Sequence, residues 1–346
     1  MSKPKVLIIG CGAVGLLQGY YLSSSADITY LVRPGRKSAF KGPKHLYSYK
    51  EDEIYTFSNY RLIEDVSEIH GETFAFVFDT LDGDTARSEG GIATIAAVGN
   101  FLNEKQNSDC SAIYAAIGLD IDEHYARTMR ISPSRLFAGL SMLVHQPTAR
   151  ISLPKTADRS KVAKADLLFA YLEPKTGFAV FNTHPQLTKK LEAIYNTNGK
   201  LNVQVIPAFV APWFMLVNML HFVTWHVDGW RPFEQFQANT ELWSLRIRAQ
   251  TEILALPRFG WTGWLLSFVF KSWAAEKLIT PLIDGAKPMK LEEFNAFHHG
   301  GKVVKQDIRA LEDVLKEGER AKRKMTALRE IVRRAHETEK AKARSK

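Results

Sequence analysis

The sequence predicts an α/β chain built in two parts: a doubly wound, mostly parallel sheet, then an all-α domain. Three observations carry that prediction. An apolar, β-branched run from Lys5 to Ile9 leads at once into Gly10-Cys11-Gly12-Ala13-Val14-Gly15, and then into a helix-compatible stretch, Leu16 to Leu22. Strand-like apolar runs then alternate with helical patterns as far as Ile206, the signature of βαβ units. From Phe209 the strand signals vanish and helical periodicity continues to the C-terminus.

The opening turn has G-x-G-x-x-G spacing in the setting that gives it meaning, ending a strand and opening a helix. Gly10 permits the tight turn, Gly12 lets backbone approach a pyrophosphate, and Gly15 lets helix and strand pack closely. The pyrophosphate would rest on unpaired N–H groups at the helix start, where the dipole favours negative charge. The arrangement is Rossmann-type, and residues 10–15 are its expected cofactor contacts. The second strand, Asp27 to Val32, ends at Arg33-Pro34-Gly35-Arg36. An NAD site wants a carboxylate here for the ribose 2′-hydroxyl. A guanidinium instead suits a 2′-phosphate, which it binds with two parallel hydrogen bonds. Arg33 and Arg36 therefore predict NADP(H) over NAD(H).

The remaining elements follow in order. A hairpin is expected around Tyr47 to Tyr60, and a buried strand at Phe74 to Thr80. A loop at 81–84 and a helix to about Phe101 come next, then a strand from Ser111 to Ile117 and another from Arg135 to Val144. Leu167 to Phe181, broken at Lys175-Thr176-Gly177, reads as an antiparallel hairpin. His184 to Tyr195 is helical, Leu201 to Ile206 is the last strand, and the first domain closes near Pro207. Pro212 to Val227 is long and apolar, but Asn218, His221, Thr224 and His226 interrupt it. It reads as a buried helix rather than a membrane span. Ile253 to Trp273 suggests two helices with an aromatic-lined turn.

Composition narrows the setting. A chain of 346 residues suggests two domains. Cys11 and Cys110 give neither a disulfide framework nor a metal spacing, and read as small apolar fillers. No secretory signal opens the chain, so a cytoplasmic, reducing setting is expected. The net charge of +9 is concentrated: residues 316–346 hold 12 basic and 5 acidic side chains, which is +7 of the excess. That tail reads as a solvated basic helix fraying into disorder, not as a nucleic-acid site. The expected domains are 1–207, Rossmann-type and NADP-binding; 208–315, α-helical, for substrate and dimerisation; and the tail 316–346.

The order of domains resembles the ketopantoate reductase family, and local motifs support it. The glycine turn and Tyr30-Leu31-Val32-Arg33 look like that family's cofactor motifs. Ile117-Gly118-Leu119 resembles its Asn-Gly-Leu/Met turn, and Trp213-Phe214-Met215-Leu216 its Trp-Arg-Lys-Leu helix. Pro288-Met289-Lys290-Leu291-Glu292-Glu293-Phe294-Asn295 resembles its Pro-Thr-Glu-Ile-Asp-x-x-Asn segment. The resemblance implies NADPH-dependent reduction of a 2-keto acid. It implies an all-α domain like the C-terminal part of 6-phosphogluconate dehydrogenase, and cofactor contacts at Thr80, Leu81, Asp82, Ala116 and Ile117.

The chain departs from the family at every catalytic position. The helix lysine falls on Met215, the nicotinamide-side lysine on Asp82, the asparagine on Ile117 and the glutamate on Lys290. Hydride transfer to a ketone builds negative charge on oxygen, which needs a proton donor or a fixed cation. Met215 supplies neither. The expected replacement is Glu292 to Lys302: on one helix Asn295, His298, His299 and Lys302 fall at i, i+3, i+4 and i+7 and share a face. His298, Lys302 and Asn295 are the candidate catalytic groups, with Lys290 on the opposite wall. The Trp- and Phe-rich helices suggest a small-molecule substrate more apolar than a keto acid. An NADP(H)-dependent oxidoreductase acting on a carbonyl is the favoured function. The alternative is a non-redox NADP-binding protein, isomerase or cyclase on the same scaffold.

Overall fold

The computed structural model describes residues 3–270 and 272–344, and of residues 272–276 and 278 the backbone alone. Its first half begins with β1 (Lys5–Ile9), α1 (Ala13–Leu22) and β2 (Asp27–Leu31), followed by β3 (Lys44–Ser48), β4 (Glu53–Phe57) and β5 (Arg61–Ile63). Next come β6 (Phe76–Asp79), α2 (Gly83–Ala86), α3 (Glu89–Leu102), β7 (Ser111–Tyr114) and α4 (Ile121–Met129). The half closes with β8 (Leu136–Ser141), β9 (Leu143–His145), α5 (Arg159–Val162), β10 (Leu167–Ala170), β11 (Thr176–Phe181), α6 (Pro185–Tyr195) and β12 (Asn202–Ile206).

These strands make an eight-stranded sheet of order β12-β11-β8-β7-β6-β1-β2-β5. All its pairs are parallel except β8 with β11. Alternate side chains of each central strand go to opposite faces. Ile8 and Phe78 join a core built with α1 and α6. Leu7, Ile9 and Val77 join one built with α3 and α4.

A second, four-stranded sheet of order β4-β3-β10-β9 was not foreseen. The hairpin expected at 47–60 is there, as β3 and β4. The hairpin expected within 167–181 is not. β10 pairs with β3 and β9, whereas β11 pairs with β8 and β12, so the two strands belong to different sheets. The single strand expected at 135–144 likewise divides into β8 and β9, one for each sheet. β10 and β11 are buried along their whole length. With no polar face, their sequence carries no alternation from which a partner could be read.

Beyond Ile206 no strand occurs among the described residues. α7 (Ala211–Val227), α8 (Phe233–Ala238), α9 (Thr240–Leu254), α10 (Gly260–Val269), α11 (Ser272–Ala286), α12 (Leu291–Phe297), α13 (Val304–Arg320) and α14 (Thr326–Arg344) make the second half. Residues 208–227 are long and apolar enough to cross a bilayer. In the fold, α7 is the central core helix, with Leu216, Met219, Leu220 and Val223 packed against α9, α13 and α14. The expected tail needs correction. α13 runs through residue 315 without a break, and Leu328, Ile331, Val332 and Ala335 of α14 are core residues. The charge count hid an apolar stripe at helical spacing.

His221 of α7 lies in this core among Trp225, Phe233, Phe236 and Trp243, with ring centroids 5.5–6.5 Å away. Neither ring nitrogen has a hydrogen-bond partner. Burial, aided by the Arg246 and His299 charges, holds its pKa well below the usual imidazole value. The unfolded chain binds a proton here below about pH 6.5 while the folded chain stays neutral. Stability from this group is therefore present above that pH and is lost as the pH falls toward the folded pKa. Replacing His221 by Phe should shrink the fall in Tm between pH 7 and pH 5 by a few degrees; an unchanged fall contradicts the assignment.

Candidate cofactor and substrate site

β1 ends in a turn that only glycine fits at two places. Gly10 has φ +94°, and a Cβ there would sit 2.8 Å from Thr80 Oγ1. At Gly15 a Cβ would strike the Gly10 carbonyl oxygen. The Tyr30 hydroxyl donates to the Gly15 carbonyl at 2.9 Å, and its ring fills the space above Gly19. α1 is thereby clamped over the ends of β1 and β2. Gly12 is different: a Cβ there meets nothing within 4 Å. Gly12 also begins α1, whose first turn has no side-chain cap and no acidic residue. Open space against uncapped N–H groups is what a pyrophosphate needs. Ala13 and Cys11 are buried in the turn, and burial pushes the Cys11 thiol up to about 12, so it is packing and not a nucleophile. Val14 packs at the rim of the same core.

Arg33-Pro34-Gly35-Arg36 closes on itself, with the Arg36 N–H donating to the Arg33 carbonyl at 3.0 Å and Gly35 at φ +75°. Pro and Gly at its centre suit a type II turn. Both guanidiniums are exposed and have no ion-pair partner among the described residues. The residues thus fit an anionic nucleotide: a glycine cradle for the pyrophosphate and free guanidiniums beyond β2 for a 2′-phosphate.

On the other side of β1, β6 delivers Asp79, Thr80, Leu81 and Asp82. Thr80 Oγ1 donates to the Ile9 carbonyl at 2.7 Å, tying this loop to the glycine turn. Asp82 caps α2, accepting from the Asp84 and Thr85 N–H groups at 3.1 and 2.9 Å. It occupies the expected loop, but as a helix cap. Asp79 is the group that the sequence reading missed. It is buried, its Oδ1 accepts from the Leu81 N–H at 2.8 Å, and the buried Tyr125 hydroxyl faces the carboxyl. Burial pushes its carboxyl up to about 7, and the nearby Asp82 adds to the shift. A lone carboxylate ending Phe74-Ala75-Phe76-Val77-Phe78 was the available signal.

The loop after β7, Ala116-Ile117-Gly118, lies against Gly83, where a Cβ would strike the Ile117 carbonyl. One side chain of the helical half joins both loops. Gln306 Oε1 accepts from the Gly83 N–H at 2.5 Å and the Ile117 N–H at 3.2 Å. Gln306 Nε2 donates to Asp307 Oδ1 at 3.1 Å, and Asp307 Oδ2 meets His299 Nδ1 at 2.8 Å. The His299 ring stacks on Phe222 at 3.8 Å.

The shared helical face expected of Asn295, His298, His299 and Lys302 does not form. α12 ends at Phe297, and His298–Lys302 is a π-helical turn. The wider turn breaks the i, i+3, i+4 register, and the His298 and His299 rings meet edge to face, centroids 4.9 Å apart. His299 turns to Asp307. His298 stacks on Phe294 at 5.4 Å, and its pKa is held well below the usual value by burial and by the His299, Lys302 and His145 charges. His145 of β9 belongs to this group: its Nε2 lies 3.0 Å from the Tyr49 hydroxyl, and the Lys302 charge adds to the lowering that burial causes. Lys302 lies at the surface, yet its ammonium is desolvated enough to lower its pKa, opposed by Asp82. The Lys302 charge is thus felt at His298 and His145, and the Asp82 charge at Lys302. Asn295 is buried within α12. Lys290 stands outside the group, exposed and paired with Glu293 at 2.9 Å. Gly300 is where the Trp230 indole packs against the turn.

Beyond Ile117 lies a cavity of about 510 Å³ between α4, β8 and the start of α7. Ile117 and Met215 both line it, with Phe181, His184, Arg258 and Phe259. Arg258 is engaged by Asp120 at 2.7 Å and Glu317 at 2.9 Å. The positions where the resemblance puts an asparagine and a lysine thus meet at one cavity, and both are apolar.

Gln306 is one joint between the halves, beside the Arg258–Asp120 and Arg309–Asp84 pairs. Replacing it by Leu leaves a buried and a partly buried N–H group unpaired, at about 1–3 kcal/mol for the buried one. The expected result is a clear fall in Tm, with the fold's circular dichroism retained at low temperature. A variant with the parent Tm would contradict the joint.

No protein-family model and no curated protein matches the sequence. Solved structures do. A 2-dehydropantoate 2-reductase from Geobacter metallireducens aligns over 96% of this chain and 99% of its own, at 15% identity and a TM-score of 0.63. One from Methylococcus capsulatus aligns over 95% and 94%, at 15% identity and a TM-score of 0.63. A dimeric ketopantoate reductase from Staphylococcus aureus aligns over 97% and 99%, at 12% identity and a TM-score of 0.57. At such identities the likeness is one of architecture: this chain has the ketopantoate reductase fold.

Proposed function

We propose that the protein is an NADP(H)-dependent oxidoreductase that reduces a carbonyl beside the β6 and β7 loops. The observation that carries the reading is the open, uncapped glycine cradle at Gly12 with the unpaired Arg33 and Arg36 beyond β2. The residues of the turn would hold the pyrophosphate, Arg33 and Arg36 the 2′-phosphate, and Thr80, Leu81, Ala116 and Ile117 the nicotinamide half. The cofactor when bound supplies the hydride. The chain's own part is to hold positive charge where oxygen becomes negative and to deliver a proton. Lys302 is the group suited to both. Desolvation lowers its pKa, which makes its proton easier to give, and Asp82 keeps it charged. Burial holds the His298 and His145 pKa values below the usual imidazole range, which leaves Lys302 as the cation of this trio. Ile117 and Met215 favour a substrate with an apolar body.

One observation favours a non-redox reading: the same two side chains line the cavity and offer no proton. In that case the nucleotide is held without turnover. The two readings separate in one experiment. NADPH oxidation is followed with a panel of 2-keto acids and hydrophobic ketones, using the parent and Lys302→Ala. The expected loss is about 10²–10⁴-fold in kcat with NADPH affinity kept. Parent activity should also decline with rising pH before the ordinary lysine range is reached. Undiminished turnover in the variant would remove Lys302 from the chemistry; tight NADPH binding with no turnover by the parent would favour the second reading.

A further inference from the structure

α10 is inside out. Its small and polar residues Gly263 and Ser267 are buried, while Trp261, Trp264, Leu265, Phe268 and Val269 are 46–75 % exposed. These five stand at i, i+3, i+4, i+7 and i+8, one continuous stripe along a helix about 15 Å long. No charged residue occurs from residue 259 to residue 270. A Cβ on Gly263 would strike Phe259 and stand 2.5 Å from the Leu254 carbonyl oxygen, so Gly263 has no room for a larger side chain and the orientation of α10 is fixed by packing. Trp213 meets Phe270 at 5.9 Å, which ties the end of α10 to the start of α7, where Phe209 is also exposed.

We propose that α10 lies in the interface of an anionic lipid bilayer and holds the protein on its surface. Trp, Phe and Leu on one uncharged face are the side chains that settle at the boundary between headgroups and acyl chains. The rest of the chain supplies the attraction: its net charge is +9, and α9 packs against both α10 and the basic α14. A second copy of the chain is the poorer occupant. At roughly 200 Å² per large side chain, little more than half of it exposed on these five, the stripe offers about 600 Å², short of the about 800 Å² per partner of a stable interface. Two copies carrying this charge also repel, whereas an anionic surface attracts. The membrane contact thus sits on an apolar helix and not on the basic tail. The cavity beyond Ile117 reaches the base of α10, being lined by the buried Phe259 and by Ala208, Ala211 and Pro212 at the approach to and start of α7. Where the reductase reading above holds, on which this last step rests, the substrate is a lipophilic carbonyl compound drawn from the bilayer.

The test is co-sedimentation of the full chain with vesicles of phosphatidylcholine containing phosphatidylserine, at low salt. The comparison is the triple variant Trp261→Ser, Trp264→Ser, Phe268→Ser, whose exposed sites leave the fold intact by circular dichroism. The parent should bind, and the variant should bind at least about tenfold more weakly. NADPH affinity, read on the same samples, should be equal in both, so failure of docking and failure of nucleotide binding are distinct results. No parent binding, or equal binding by the variant, overturns the proposal. So does a dimer, seen by light scattering, that the triple substitution dissociates without any vesicle binding.

Discussion

The contact between the Gly15 backbone and the Gly10 carbonyl is the constraint from which the site follows. It allows α1 to start directly over the end of β1, and the Tyr30 hydroxyl locks it there through the Gly15 carbonyl. With the helix so placed, its first N–H groups face the open side of Gly12. A side chain on Gly15 would lift the helix and close that space. The Thr80 hydroxyl, bonded to the Ile9 carbonyl, fixes the neighbouring loop to the same point. Arg33 and Arg36, exposed after β2, put positive charge at the end of the neighbouring strand.

The second constraint couples the halves. Gln306 satisfies two backbone N–H groups of the sheet half and is itself held by Asp307, which is held by His299. A chain of buried polar groups is worth having only when every member is satisfied. This one helps to set where the helical half sits above the β6 and β7 loops. The π-helical turn 298–302 serves the same end: it sends His299 to Asp307 at the joint. Functional sites often carry such turns, since they aim side chains that a regular helix could not.

The sequence is legible where one local rule decides the structure. β1, the glycine turn, α1 and β2 follow from spacing and apolar runs, and the helical character beyond Ile206 follows from period. It is opaque where partners are distant. β10 and β11 look like a hairpin because both are apolar and close in sequence, yet tertiary pairing sends them to different sheets. The tail looks solvated because charge outweighs the few apolar residues that anchor α14. The candidate cluster is half legible: Asn295, His298, His299 and Lys302 are read from one stretch, but helical spacing cannot foresee the π-helical turn within it. His145 and Asp79 reach the site from strands, and only their polarity in apolar runs marked them.

Every part of this reading rests on a phosphorylated nucleotide seated in the glycine cradle. Titration of the chain with NADPH and with NADH in a calorimeter tests that most directly, with Arg33→Glu beside the parent. The account expects NADPH to bind the parent more tightly than NADH, by about tenfold or more, and Arg33→Glu to erase or reverse the difference. No heat from either nucleotide, or equal affinities in the parent, would contradict it.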